Sequence, residues 1–432
     1  MTRTTKTLHE LIVNNEDARA CNEIPDASCR EVPGNFFKML SAQSLTQLGD
    51  ALLNPKVILP WLLQALGAPL FLIGFLVPIR ESGSMLPQLV IASYVRSFER
   101  RKYAWILGSI LQGLFVFCMA LSAAFSSGLL AGGLIILWLI GFSLARGLCS
   151  IATKDVTGKV IPKPQRGRLN GIASSVSGLV TLVSAGLLFL FGQVNSLDSV
   201  IVLLGVAGLS WFIASAIFWQ VEEYAGEVSG GKNGWQAAMA NLSIIARDAA
   251  FRRFVLARSF LLCSALAAPY LVLLANQDEV DISQLVFFMA ASGAAGFLSG
   301  PFWGRFADLS SRQTMVWAGA GASAICLLVI ALAVALPSAL AFPATLPLLY
   351  VLLTISHQGV RVGRKTYLTN MAEGDQRTTY VSVCNTLIGI VLLGVGGLTA
   401  LLSSLGAVVV LFTLMCLGML GVVMSLALPE VE

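Results

Sequence analysis

The sequence predicts an all-α integral membrane protein of 12 transmembrane helices, arranged as two pseudo-symmetric six-helix bundles. Three observations predict it. Apolar runs of spanning length recur along nearly the whole chain, lysine and arginine gather in alternate connections, and a set of charged residues repeats at a fixed offset. Composition agrees: 56% of the 432 residues are hydrophobic and only 12% are charged, where a soluble domain carries about 25% charged residues. The 40 glycines fit as well, since glycine is commoner in membrane helices than in soluble ones.

The elements follow in order. Residues 1–35 form a polar tail without an apolar core, so the tail does not read as a secretory signal. A spanning helix needs roughly 20 mostly apolar residues. In the first bundle, 36–221, such runs lie near 37–63, 69–95, 103–124, 128–151, 169–192 and 199–220. A cytoplasmic linker, 222–250, follows; its glycine-rich run 226–234 reads as flexible and its stretch 235–247 as helical. In the second bundle, 251–432, runs lie near 252–275, 283–305, 314–336, 343–363, 379–402 and 406–428.

The connections give the orientation. Those at 66–69, 124–127, 192–198, 276–283, 337–343 and 403–406 contain no lysine or arginine. The others hold Arg96, Arg100, Arg101 and Lys102, then Lys154, Lys159, Lys163, Arg166 and Arg168. Further along stand Lys232, Arg247, Arg252 and Arg253, then Arg305 and Arg312, then Arg364, Lys365 and Arg377. Lysine and arginine excess marks the cytoplasmic side, so both termini are expected there. Cys118, Cys149, Cys263, Cys326, Cys384 and Cys416 lie in apolar runs, and Cys21 and Cys29 in the tail. No spacing among them suits a metal or redox pair. A cytoplasmic tail also disfavours a disulfide, and neither metal nor cofactor is expected.

The two bundles carry an internal repeat. Lys154 and Arg166 recur as Lys365 and Arg377, since 365−154 and 377−166 both equal 211. The triplet Ala42, Gln43, Ser44 likewise resembles Ala257, Arg258, Ser259.

Between the eighth and ninth spans the run Gly304-Arg305-Phe306-Ala307-Asp308-Leu309-Ser310-Ser311-Arg312 resembles the cytoplasmic loop motif of the major facilitator superfamily. In that motif Gly, Asp and Arg stand at four-residue intervals. The resemblance covers the chain after residue 36. It implies a secondary transporter in which Gly304, Asp308 and Arg312 latch the halves in the outward-facing state; an ordinary charged turn is the alternative. The corresponding first-half positions are Ala92, Arg96 and Arg100, with arginine in place of the acid. The glycine–proline motif of drug–proton antiporters is absent from the fifth span, where Gly171, Gly178 and Gly186 have no following proline. Residues 16–21 and 78–84 resemble a bacterial branch, which implies the inner (plasma) membrane.

Ionisable groups inside a membrane are costly and normally face the bundle interior. Gln43, Gln47, Asp50 and Asn54 follow helical spacing, so they share one face. Asp50 lies near the midplane, and Arg80 and Glu81 of the second span reach a similar depth. Two readings stand: a structural pair such as Asp50 with Arg80, or a cavity wall in which the second acid carries a proton. Lys56 lies off that face, with Pro55 before it, and takes no assigned role. In the tenth span Thr354, His357, Arg361 and Arg364 again share a face, and Arg146 is the repeat counterpart of His357, since 357−146 equals 211. With Arg258 of the seventh span, these suggest a basic inner wall. His357 titrates near physiological pH; it reads either as a helix contact or as a proton carrier.

The expected function is alternating-access secondary transport, coupled to protons, of a small anionic or zwitterionic organic solute. The substrate and proton pathway is expected to use Asp50, Arg80, Glu81, Gln47, Asn54, Arg146, Arg258, His357 and Arg361. The expected partners are that solute, protons and the lipid bilayer, with no nucleic acid and with the chain working as a monomer. A membrane assembly factor, sensor or receptor without solute flux is the alternative. An enzyme is not expected, because no nucleophile elbow, metal spacing or phosphate loop is present. The topology has a direct test: single cysteines placed at Asn195 and Asp281 should react with a membrane-impermeant reagent from outside the cell. Reaction only from the cytoplasm at either site would overturn it.

Overall fold

The computed structural model describes residues 26–87, 91, 95, 98–191, 196–225, 243–276, 282–371 and 374–431. These residues are helical apart from short connections, and they form 12 passes in two six-helix bundles. The passes of the first bundle are Asp26–Leu53 continued by Ile58–Ala65, then Ile73–Met85, Lys102–Phe125, Gly128–Val160, Lys163–Phe191 and Ser196–Trp219. Those of the second begin with Ala249–Leu261, continued through Cys263–Leu266 and Ala268–Ala275, followed by Ile282–Leu309 and Ser311–Ala335. Thr345–Asn370, Gly374–Ser403 and Ala407–Leu426 complete it.

Seven of these helices are long and apolar enough to cross a membrane on those grounds alone: the third, fourth, sixth, seventh, ninth, eleventh and twelfth passes. Among the described residues the first, second, fifth, eighth and tenth do not qualify, and the first, second and tenth of these carry the polar stripes. With no water in the hydrocarbon core, an unbroken helix satisfies its own backbone. Where polar side chains enter, a neighbouring helix must receive them.

Several helices run past their apolar stretches, and in two of them side-chain partners account for it. The first begins at Asp26, inside the segment expected to be tail, and Asn35 holds it beyond the apolar run. The Asn35 amide donates to the Glu222 carbonyl at 3.0 Å, and its Oδ1 accepts from the Glu222 N–H at 2.9 Å. The fourth continues to Val160 because Asp155 and Lys159 find partners there, Arg101 at 3.1 Å and Glu223 at 2.8 Å. Of the expected linker helix only Ile244–Arg247 falls within the described residues.

Packing repeats between the bundles. The third span lies against the fourth and sixth, and the ninth against the tenth and twelfth. The halves meet where the second span packs on the eleventh and the fifth on the eighth, pairs that a pseudo-twofold axis exchanges. Glycine makes the first seam possible. A Cβ on Gly74 would lie 2.7 Å from the Ala400 backbone, and one on Gly396 2.4 Å from the Pro78 ring. Small residues of this kind let membrane helices approach closely. The seam continues to Leu86, whose side chain a Cβ on Gly389 would meet at 2.9 Å.

Asp248 caps the seventh span. Its Oδ1 accepts from the Phe251 N–H at 2.9 Å, and its Oδ2 accepts from the Tyr380 hydroxyl at 2.5 Å. The Tyr380 hydrogen bond, with the backbone N–H groups, holds the Asp248 carboxyl below its ordinary range. A depressed carboxyl stabilises the fold above its unfolded value, and that contribution is lost as pH falls through the folded value. Asp248→Ala should therefore lower stability by about 0.5–2 kcal/mol, the usual range for a lost N-cap. Thermal unfolding in detergent should show the deficit at pH 7 and progressively less of it as pH falls through the folded value of Asp248.

Candidate functional site

The first span brings its polar face to the middle of the membrane and then breaks. Pro55 removes a backbone donor, and the turn at 54–57 is closed by Asn54. The Asn54 carbonyl accepts from Ile58 N at 3.0 Å and Leu59 N at 3.2 Å, while its Oδ1 accepts from Lys56 N at 2.9 Å. Its amide reaches across to Ser292 Oγ of the eighth span at 3.4 Å. The seventh span, the repeat counterpart of the first, is also interrupted, at Leu262 and at Ala267 just before Pro269. Discontinuous helices at this depth are a feature of transporter binding regions.

Asp50 lies one turn before the first break. Its Oδ1 accepts from Arg80 Nη2 at 2.6 Å, and Arg146 Nη1 donates to its Oδ2. Three spans, the first, second and fourth, thus converge on one carboxylate. Arg80 is 6% exposed and lies 5.0 Å from the centroid of the Phe142 ring, a cation–π contact. Glu81, the next residue, is turned about 100° around the helix. It makes no ion pair among the described residues, yet it stands in the field of Arg80, Lys56, Arg361 and Arg146.

In the second half the polar residues find neutral partners. Arg258 donates to Cys384 Sγ at 2.9 Å and to Asn385 Oδ1 at 3.1 Å, tying the seventh span to the eleventh. His357 Nδ1 and Ser264 Oγ share a hydrogen bond of 3.0 Å, so His357 joins the tenth span to the seventh. Arg361, one turn farther along, is exposed. Lys56, Arg361 and Arg364 lie close enough to His357 to act on it electrostatically.

The structure therefore joins Asp50, Arg80 and Arg146 directly and places Glu81 and Arg361 beside them. Gln47 shares a cavity with Asp50 and Arg146, and Asn54 closes the helix break. Arg258 turns to the eleventh span. Lys56 also belongs to the group, a role left unassigned from sequence; the run Asn54-Pro55-Lys56 inside an apolar stretch was the available signal.

Gly304, Asp308 and Arg312 lie apart, on the side of the termini. The Asp308 side chain is outside the described residues, and a Cβ on Gly304 would meet nothing within 4 Å. Arg312 donates to the Leu428 carbonyl at 3.2 Å and to Glu430 Oε1 at 2.6 Å, partners from its own half.

Comparison with known proteins follows the same lines. Among solved structures, a POT family transporter in complex with 5-aminolevulinic acid aligns with TM-score 0.66 and 12% identity, over 91% of this chain and 94% of that one. The D-xylose–proton symporter aligns with TM-score 0.64 and 13% identity, over 94% and 98% of the two chains. An inward-open xylose transporter XylE from E. coli gives 0.61 and 12%, over 94% and 97%. At such identities the likeness establishes the fold alone. No curated protein sequence matches the chain. The Major Facilitator Superfamily profile matches residues 39–393, well over half of the sequence. By that match and by its 12-helix architecture, the chain belongs to the Major Facilitator Superfamily, a family of transporters rather than enzymes.

Proposed function

We propose that this transporter moves a small anionic or zwitterionic organic solute, coupled to protons, by rocking its two halves about the Asp50 junction. One observation carries the proposal: Asp50 is held by two guanidinium groups, while Glu81 stands beside it without an ion pair among the described residues. Asp50 then holds the first half together, and Glu81 is the acid free to load and release a proton as hydration of the site changes. Counting Asp50 and Glu81 against Lys56, Arg80, Arg146 and Arg361 leaves two positive charges over, which favours an anion. Proton symport is stated of the D-xylose neighbour, and the same coupling class is proposed here.

The ion pairs among the described residues all lie within one half or the other. Contacts between halves, by contrast, run along the glycine seam and through Asn54–Ser292 and Gln64–Leu273. That distribution supports a state closed opposite the termini and open toward them. With cytoplasmic termini, in a bacterial inner membrane, the state is inward-facing. The chain is proposed to work as a monomer.

Two experiments test this reading. A thermal-shift screen of metabolites at two pH values should identify the solute, because a ligand of the native state raises apparent stability. Asp50→Asn and Glu81→Gln should then give different phenotypes in liposomes under an imposed pH gradient. Asp50→Asn weakens the hold on two guanidinium groups at depth; removing one partner of a buried pair costs about 3–5 kcal/mol, so the yield of folded protein should fall sharply. Glu81→Gln should fold and bind solute while its flux loses its dependence on the pH gradient. Two folded variants with unchanged proton-driven flux would falsify the division of roles, and a wild-type protein that binds partners without flux would favour a receptor.

A further inference from the structure

A cavity of about 290 Å3 lies inside the first half, walled by the first, third and fourth spans and, among the described residues, by none of the second half. Its deep end is Asp50 and Arg146. Gln43 and Lys154, seven and eight residues nearer the termini, stand about 10–12 Å away at 1.5 Å per residue. Between them Gln47 and Ser150 line the wall. One face is fixed, since Trp105 Nε1 donates to Thr153 Oγ1 at 2.8 Å.

Gln43 distinguishes this cavity. The residue is 6% exposed, and neither its Nε2 nor its Oε1 has a hydrogen-bond partner among the described residues. Buried amides are almost always paired. Arg258, which the internal repeat sets against Gln43, has both Cys384 and Asn385. Charge is the second feature. Lys154 is exposed at the mouth and makes no ion pair among the described residues, because its neighbour Asp155 is taken by Arg101 at 3.1 Å. Arg146 and Lys154 against Asp50 leave the walls one positive charge over.

We propose that this cavity binds a small carboxylate carrying hydroxyl groups. The carboxylate is held at Lys154 and the hydroxyls meet Gln43, Gln47 and Ser150. A hydroxyl both donates and accepts, and Gln43 needs one partner of each kind; a plain aliphatic carboxylate offers acceptors alone and no donor for Gln43 Oε1. At about 30 Å3 per water the space equals roughly ten waters, so a sugar acid of up to six carbons is of the right order. Because one half supplies every wall, rocking of the halves leaves the site intact, and occupancy does not depend on the transport state.

The test uses the full-length protein in detergent and sodium gluconate as probe. Glucose serves as the uncharged control and hexanoate as the control without hydroxyls. Gluconate should raise the melting temperature and give a titratable binding signal, and both controls should fail at equal concentration. Gln43→Leu and Lys154→Gln should each weaken gluconate binding at least tenfold. Glu81→Gln and Arg361→Gln should leave it within twofold, whatever they do to flux. Should Gln43→Leu fail to fold, Lys154→Gln, at an exposed position, carries the test alone. Gluconate binding no tighter than either control would overturn the inference. So would binding that is lost in Arg361→Gln but kept in Gln43→Leu and Lys154→Gln; that result would put the anion between the halves and leave the transport reading standing.

Discussion

Two guanidinium groups can share one carboxylate in a membrane only if rigid elements deliver both, because neither ion can rely on water for its solvation. Asp50 is such a carboxylate. Arg80 comes to it from the second span and Arg146 from the fourth, and the geometry of the first half follows from this convergence. The second span lies close enough to the fourth that a Cβ on Gly83 would meet the Ser143 side chain at 2.5 Å. Phe142, one turn before Arg146, places its ring beside the Arg80 guanidinium. The opposing charges are held in place by the packing around them, and with one acid for two bases the junction is electrostatically incomplete. A further anion, from Glu81 or from a solute, is favoured beside it.

The two halves use one architecture for different ends. The repeat sets Arg146 against His357 and Gln43 against Arg258. In the second half these positions form neutral or singly charged contacts within the bundle: His357 with Ser264, and Arg258 with Cys384 and Asn385. In the first half they surround an acid and a buried amide. A pseudo-symmetric transporter needs symmetry in its helices so that the seams between halves exchange roles. Its chemistry can remain on one side, with the other supplying Arg361 and a wall.

Much of this was legible in the sequence, for definite reasons. Spanning length and the lysine–arginine bias are properties of whole segments, so the passes and the repeat could be read from them. The shared depth of Asp50, Arg80 and Glu81 followed from counting residues. What could not be read was partnership. Residue counting makes Arg80 the natural partner of Asp50, and only the packing of the fourth span against the second brings Arg146 as well. The role of Lys56 depends on the break after Asn54, because an unbroken helix would carry it off the polar face. The helix ends were misjudged where side-chain bonds extend them, as Asn35 and Lys159 do.

The loop motif ends on a contact inside its own half. Arg312 is bound by Glu430, four residues after the last span ends at Leu426. In the first half the loop motif places Arg100 opposite Arg312, and there Glu223 follows the sixth span by the same four residues after Trp219. The Glu223 carboxylate accepts from the backbone N–H of Arg101 at 3.0 Å and of Lys102 at 2.7 Å, and from Lys159 Nζ at 2.8 Å. In each half, then, the acid just past the sixth helix returns to the start of the third. A carboxylate at a helix N-terminus satisfies donors that have no partner inside the helix, so Glu223 meets a need that the loop before Arg101, with Arg96 in place of an acid, does not. Both straps close within their own half. In the proposed rocking, separation of the halves on the side of the termini breaks neither strap, because each ties only its own bundle.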